Sequence, residues 1–192
     1  MIKLDISHLS WQLNKSFNIS RGSKNTAETI EVKLTENKFT GIGECVPYGR
    51  YNETLESVQK QILELKDGIE NSEINKKNLD QFIKNGAARN AIDCALWDLE
   101  SKKKKETVWS MLDIQKPQEI PSSYTVVLDD PDKMIEDIYD HREFPTIKIK
   151  VDNKNLDRIL TNARESLPNT TIIVDANESF EVDDLNKNID LF

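Results

Sequence analysis

Positive charge is in short supply. Lys and Arg number 26 against 34 Asp and Glu in 192 residues, a net charge of −8. Nucleic acid is thereby excluded as a partner, because neutralising phosphates requires a basic face. Cysteine is scarce too: Cys45 and Cys94 are the only two. They cannot staple a small disulfide scaffold, and without a CxxC or Cys/His cluster they do not suggest zinc. No apolar run reaches the roughly 18 residues that a membrane-spanning helix needs. The opening Met1-Ile2-Lys3-Leu4-Asp5 lacks the basic and then apolar stretches of a secretory signal. The expectation is a cytoplasmic protein with no membrane partner. Hydrophobic residues make up 37%, including three Trp, enough for a folded core in one or two domains.

What is present falls into two rhythms. Ile2, Leu4 and Ile6 alternate, and Leu9, Trp11 and Leu13 alternate on the shifted parity, which predicts a first strand bent near Ser7-His8. Residues 20–25 read as a polar loop. Strands over 30–34 and 40–46 follow, joined at Glu36-Asn37-Lys38, with Gly41 and Gly43 on one face. Helical spacing then takes over at Leu55, Val58, Ile62 and Leu65, with Asn52 as the expected N-cap. A short helix near Leu79 precedes a longer one from Ala87 to about Lys103. Its small residues Ala88, Ala91 and Ala95 should let a neighbour approach closely, so it reads as a central helix, with Lys102 to Lys105 as its solvated end. Within it Arg89 and Asp93 are spaced to pair, Trp97 reads as core, and both cysteines read as small buried residues. From Glu119 onward, short apolar strands at 122–128, 146–151 and 170–176 alternate with helices at 131–141, 154–166 and 182–192, the pattern of parallel β/α units.

Two constellations carry chemistry, each at the end of a predicted parallel strand. In Ile147-Lys148-Ile149-Lys150-Val151 the alternation of strand side chains puts both lysines on one face. Two crowded, desolvated ammonium groups would have lowered pKa values, as a general base requires; an amphipathic edge strand with solvated lysines fits the same spacing. In Ile172-Ile173-Val174-Asp175-Ala176-Asn177-Glu178 an apolar strand ends in a carboxylate, where α/β folds place catalytic or metal-binding groups. For Asn177 and Glu178 a helix cap is the competing role. A base beside a carboxylate able to hold a hard cation suits proton abstraction α to a carboxylate.

With these motifs the chain resembles the muconate-lactonizing branch of the enolase superfamily, and within it the dipeptide epimerases that act on Ala-Glu. The resemblance rests on residues 20–24, on Gly43-Glu44-Cys45-Val46-Pro47-Tyr48, on the helix motif over 88–99, on Ser123-Tyr124-Thr125, on Lys148-Ile149-Lys150 and on Asp175-Ala176-Asn177-Glu178. It implies an α+β capping domain over 1–118 followed by a TIM-type (β/α) barrel with parallel strands, of which residues 119–192 hold the first three units. It implies Mg2+, with Asp175 as one of three carboxylate ligands. It implies Lys150 as one of two acid/base groups on opposite faces of a small dipeptide substrate, and Lys148 as its neighbour, tuning it and holding the substrate carboxylate. Arg21 would meet a glutamate side chain, and Thr125 is a further substrate contact.

A complete barrel of this type has eight units, so this one is incomplete and would lack two metal carboxylates and the second lysine. The expectation is a chain inactive alone, completed by a copy of itself or by a separately encoded C-terminal half. A muconate cycloisomerase or o-succinylbenzoate synthase, and a non-catalytic half-barrel assembly module, are the competing readings.

Overall fold

The computed structural model describes residues 1–19 and 22–192, which gather into two compact units. The first comprises Met1–Gln12 with Thr26–Pro117, and the second Leu13–Asn25 with Gln118–Phe192.

The first unit is built on a three-stranded sheet in the order β1 (Lys3–Ile19), β2 (Gly22–Glu36), β3 (Phe39–Cys45). β2 and β3 are antiparallel, and the turn between them uses Asn37 at φ 55°, a conformation asparagine tolerates. β1 runs as one strand through Ser7-His8. Positions 22–25, expected in a loop, are strand: pairing along the long ribbon satisfies their backbone groups and overrides their polar sequence. Ser16 and Asn25 also bond across it, at 2.5 Å.

α1 (Leu55–Glu64) is capped by Thr54 and not by Asn52: Thr54 and Ser57 each accept the other's backbone N–H. Asn52 instead ends the preceding turn in the left-handed region, at φ 59°. Two short helices, α2 (Lys66–Glu70) and α3 (Leu79–Phe82), lead to α4 (Ala87–Lys104), with α5 (Val108–Met111) after it. α4 lies directly on β3. A Cβ at Gly41 would fall on the backbone of Ala95 and Leu99, and one at Gly43 on that of Ala91 and Ala95. The glycines and alanines of the sequence therefore meet as one backbone-to-backbone contact. Leu4, Ile30, Val32, Leu34, Val58, Ile62 and Ile92 complete the core.

Several local expectations are corrected. Arg89 turns back to donate to Asn85 and leaves Asp93. Cys94 is exposed, while Cys45 is buried, with its thiol pushed up to about 11 by desolvation and then by Glu53. Trp97 is half-buried beneath the Lys76 ammonium, which lies 3.7 Å from the ring centroid. The basic end of α4 is solvated as expected, Lys102 to Lys105 all being exposed, and three of these lysines also form ion pairs: Lys102 with Asp98, Lys103 with Glu36 and Lys104 with Glu100.

In the second unit strands and helices alternate: β4 (Ser123–Val126), α6 (Pro131–Asp140), β5 (Thr146–Lys150), α7 (Leu156–Ser166), β6 (Thr171–Asp175), α8 (Val182–Asn188). The strands form a parallel sheet in the order β4-β5-β6. Asp130 caps α6 and Pro131 takes its first position, where a missing N–H costs nothing. One sheet face is apolar: Val126, Ile147 and Ile149 pack on Met134 and Ile138 of α6 and on Ile159, Leu160 and Ala163 of α7. Ile147 and Ile149 are fully buried, each contributing about 2 kcal/mol of transfer free energy. Among the described residues, no helix is long and apolar enough to cross a membrane.

Candidate active site

Burying one face of the parallel sheet dictates what the other carries. The register pairs Thr125 with Lys148 and Lys148 with Ile173, and two residues along it pairs Lys150 with Asp175. Partners in a parallel ladder share a face, so Thr125, Lys148, Lys150, Ile173 and Asp175 stand together opposite the helices. Lys150 and Asp175 are the last residues of their strands, at the carboxyl rim of the sheet.

The charged groups there are in direct contact. Lys148 and Lys150 each place Nζ 2.7 Å from Oδ2 of Asp175. Lys150 also donates to Oδ1 of Asn177 at 2.8 Å, and the Asn177 backbone N–H donates to Oδ1 of Asp175 at 2.9 Å. Lys150 is 7% exposed, a buried ammonium held by a carboxylate and an amide. The hydrogen bonds from Lys148 and then Lys150, with help from the Asn177 N–H, hold the Asp175 carboxyl well below the usual carboxylate range against a smaller opposing effect of burial. The carboxylate also offsets the repulsion between the two ammoniums. Solvated edge lysines are thus not what this spacing builds.

Beyond β6 the chain turns sharply. Asn177 has φ 47° and Glu178 φ 66°, two consecutive left-handed residues. For Glu178 that conformation costs about 1 kcal/mol, and it directs the Asn177 amide back to Lys150. A groove of about 760 Å³ follows the free edge of β6, lined by Lys148, Ile173, Asp175, Asn177, Phe180 and Leu185 among others.

The structure therefore brings Lys148, Lys150 and Asp175 together and puts Thr125 beside Lys148. Arg21 lies outside the described residues. Asn177, absent from the expected catalytic set, is a direct partner of Lys150; the Asp-x-Asn spacing was the signal for it, since residues two apart at a strand end return to one face.

The donor set also tests the implied Mg2+. Both Asp175 oxygens accept hydrogen bonds from lysine or backbone donors, and among the described residues no three His, Cys, Asp or Glu gather to hold a metal ion. A Mg2+ ion demands several hard oxygen ligands in near-octahedral array, and these residues alone do not fit it.

Comparison with known proteins adds a family to this geometry. Residues 1–113 match the mandelate racemase/muconate lactonizing enzyme N-terminal domain. The chain is 35% identical over 178 residues to the L-Ala-D/L-Glu epimerase of Escherichia coli (strain K12), covering 92% of this chain and 55% of that protein. It is 34% identical over 164 residues to an N-acetyl-D-glutamate racemase of Pseudoalteromonas sp, covering 84% and 51%. A crystal structure of an enolase family member from Agrobacterium tumefaciens, with homology to dipeptide epimerases and bound to sodium and L-Ala-L-Glu, superposes with a TM-score of 0.93 at 35% identity. That match covers 100% of this chain and 58% of the other. The chain thus spans about half the length of the relatives it matches.

Proposed function

Because the chain belongs to the mandelate racemase/muconate lactonizing enzyme family, we propose that it is part of an epimerase that inverts the α-carbon of a glutamate-bearing dipeptide of the Ala-Glu type. The observation that carries this reading is the buried Lys150 at the sheet rim, held by Asp175 and Asn177 with Lys148 alongside. In this proposal residues 1–118 form a capping domain and residues 119–192 are the first three units of a TIM-type barrel.

Lys150 first gives up its own ammonium proton to solvent and then takes the α-proton onto Nζ. The electron pair of the broken C–H bond moves onto the neighbouring carboxylate of the substrate. Lys148 sits one strand step away on the same face and meets that carboxylate's growing negative charge. Asp175 and Asn177 fix the Lys150 amine in place, which shortens the search for a reactive geometry. Thr125 contacts substrate from the neighbouring strand, and Arg21 receives the glutamate side chain. Reprotonation on the opposite face needs a second acid, which would come from outside these residues. The Mg2+ implied by the family would add positive charge at the substrate carboxylate; Asp175 is the carboxylate this segment offers it, and the other ligands would come from elsewhere. Completion of the sheet by further β/α units, from the same polypeptide or from a separate one, belongs to the same proposal.

The names of two relatives favour one alternative substrate. Both the epimerase and the N-acetyl-D-glutamate racemase act on a glutamate α-carbon next to a carboxylate. An N-acylated glutamate is therefore the second candidate.

The test is α-proton exchange in D2O with Mg2+, using protein purified from its source cells. The expected result is deuterium at the C-terminal α-carbon of L-Ala-L-Glu, and loss of about a thousandfold in rate for Lys150→Ala. Exchange confined to N-acetylglutamate would transfer the assignment to a racemase. No exchange with either substrate would end both.

A further inference from the structure

The hairpin tip 13–25 groups with the parallel-sheet unit although its sequence neighbours belong to the other one. A cluster of side chains explains the attachment. Lys15 on β1 places Nζ 2.6 Å from the Tyr124 hydroxyl and 2.9 Å from both carboxylate oxygens of Asp137. Tyr124 stands on β4 and Asp137 on α6.

The receiving side is assembled by contacts of its own. The Tyr124 hydroxyl donates to Asp137 Oδ1 at 2.9 Å. The His141 ring stacks on the Tyr124 ring, with centroids 3.6 Å apart and planes 7° apart, and its Nδ1 bonds the Asp137 carbonyl at 2.9 Å. Phe144 packs against both rings. Tyr124 and Asp137 are therefore fixed before the lysine arrives. An ordinary surface ion pair must order two mobile side chains and contributes little. Here the acceptor is prebuilt and the Asp137 side chain is 19% exposed, so the lysine alone is ordered. The hydrogen bonds to Tyr124 and Asp137 raise the Lys15 pKa, outweighing desolvation, so it stays charged at neutral pH.

A second contact fixes the direction of the tip. The Leu128 N–H donates to the Asn18 carbonyl at 3.2 Å. Leu128 lies two residues past the carboxyl end of β4, on the rim that carries Lys150 and Asp175. Lys15 is thus seated on the helix-covered side of β4, and three residues later the tip reaches the catalytic rim.

We propose that Lys15, Tyr124 and Asp137 form a latch that positions the hairpin tip at the rim of the candidate site, making Lys15 a positioning residue for substrate recognition. The latch itself stands on the contacts above. Its bearing on substrate rests on the proposed epimerase reading, which assigns Arg21 to the glutamate side chain.

The experiment has two arms. The first is hydrogen–deuterium exchange of the 192-residue chain, comparing wild type with Lys15→Met, Tyr124→Phe and Lys15→Arg. Amides of 13–19 and 22–25 should exchange about tenfold faster in Lys15→Met, the scale of one lost charge-assisted hydrogen bond, with β5 and α7 unchanged. Tyr124→Phe should give a smaller acceleration, and Lys15→Arg should restore protection. Unchanged tip exchange in Lys15→Met, or equal acceleration throughout the unit, would overturn the latch. The second arm uses protein from source cells with L-Ala-L-Glu. KM should rise about tenfold in Lys15→Met with kcat within about twofold, the pattern of lost binding. Equal KM values despite a loosened tip would overturn the role in recognition. A wild type without turnover would refute the epimerase reading, while the exchange arm would still decide the latch.

Discussion

Lys150 and Asp175 show how a strand spacing becomes a chemical site. Alone, Lys-Ile-Lys is compatible with two solvated lysines. The neighbouring strand removes that option, because its last residue places a carboxylate within 2.7 Å of both ammoniums. The same contact makes a pH prediction. The folded-state pKa of Asp175 is depressed, so its stabilising contribution is fully present above the unfolded carboxylate value near about 4. It declines as pH falls below that value and is gone only below the depressed folded pKa. Urea unfolding at pH 7 and at several steps down to about pH 3 should show wild-type stability falling below about pH 4. Asp175→Asn should lose about 2 kcal/mol at pH 7 and show a shallower acid slope, because two ammoniums are left around a neutral amide. Equal slopes in the two proteins would mean that other carboxylates dominate the acid limb.

At the scale of elements, the contact between β3 and α4 is the tightest statement the fold makes. Gly41 and Gly43 face the backbone of α4 with no room for a methyl group. Gly43→Ala must push strand and helix apart across the core of the first unit. The expected cost is about 3 kcal/mol, read as a lower urea midpoint with an unchanged m value. Gly49→Ala, where a Cβ meets open space, is the control and should change the midpoint little. This packing was legible in advance from glycines at alternate strand positions and alanines along one helix. The caps were less so: Thr54 displaced Asn52 because its side chain lies one residue before the first helical turn, where it reaches the Ser57 N–H.

At the scale of the whole molecule, β4 and β6 are the outer strands of the parallel sheet among the described residues. β6 carries Ile173 on the lysine face at 44% exposure, and Val182 and Ile189 beyond it are exposed as well. An outer strand with apolar neighbours and free backbone groups invites pairing. The 192-residue chain should therefore associate with rising concentration in sedimentation velocity runs. Ile173→Lys should shift it toward monomer without altering its far-UV circular dichroism. A wild type that stays monomeric at about 100 μM, well into the range where exposed edges associate, would refute this.

The sequence by itself determined the division into a mostly antiparallel sheet with helices and a parallel β/α unit, the facing of Lys148 and Lys150, and the small-residue contact of α4. Each follows from local periodicity, which the chain carries within a few residues. Only the tertiary structure decided that Asp175 is shared by two lysines, that Asn177 turns back to Lys150, and that Lys15 seats between Tyr124 and Asp137. The last contact joins residues 109 and 122 positions apart. No local pattern encodes such a meeting. It exists because burying Ile147 and Ile149 against the helices fixes the strand register, and the register then sets which polar side chains share a face and which reach its rim.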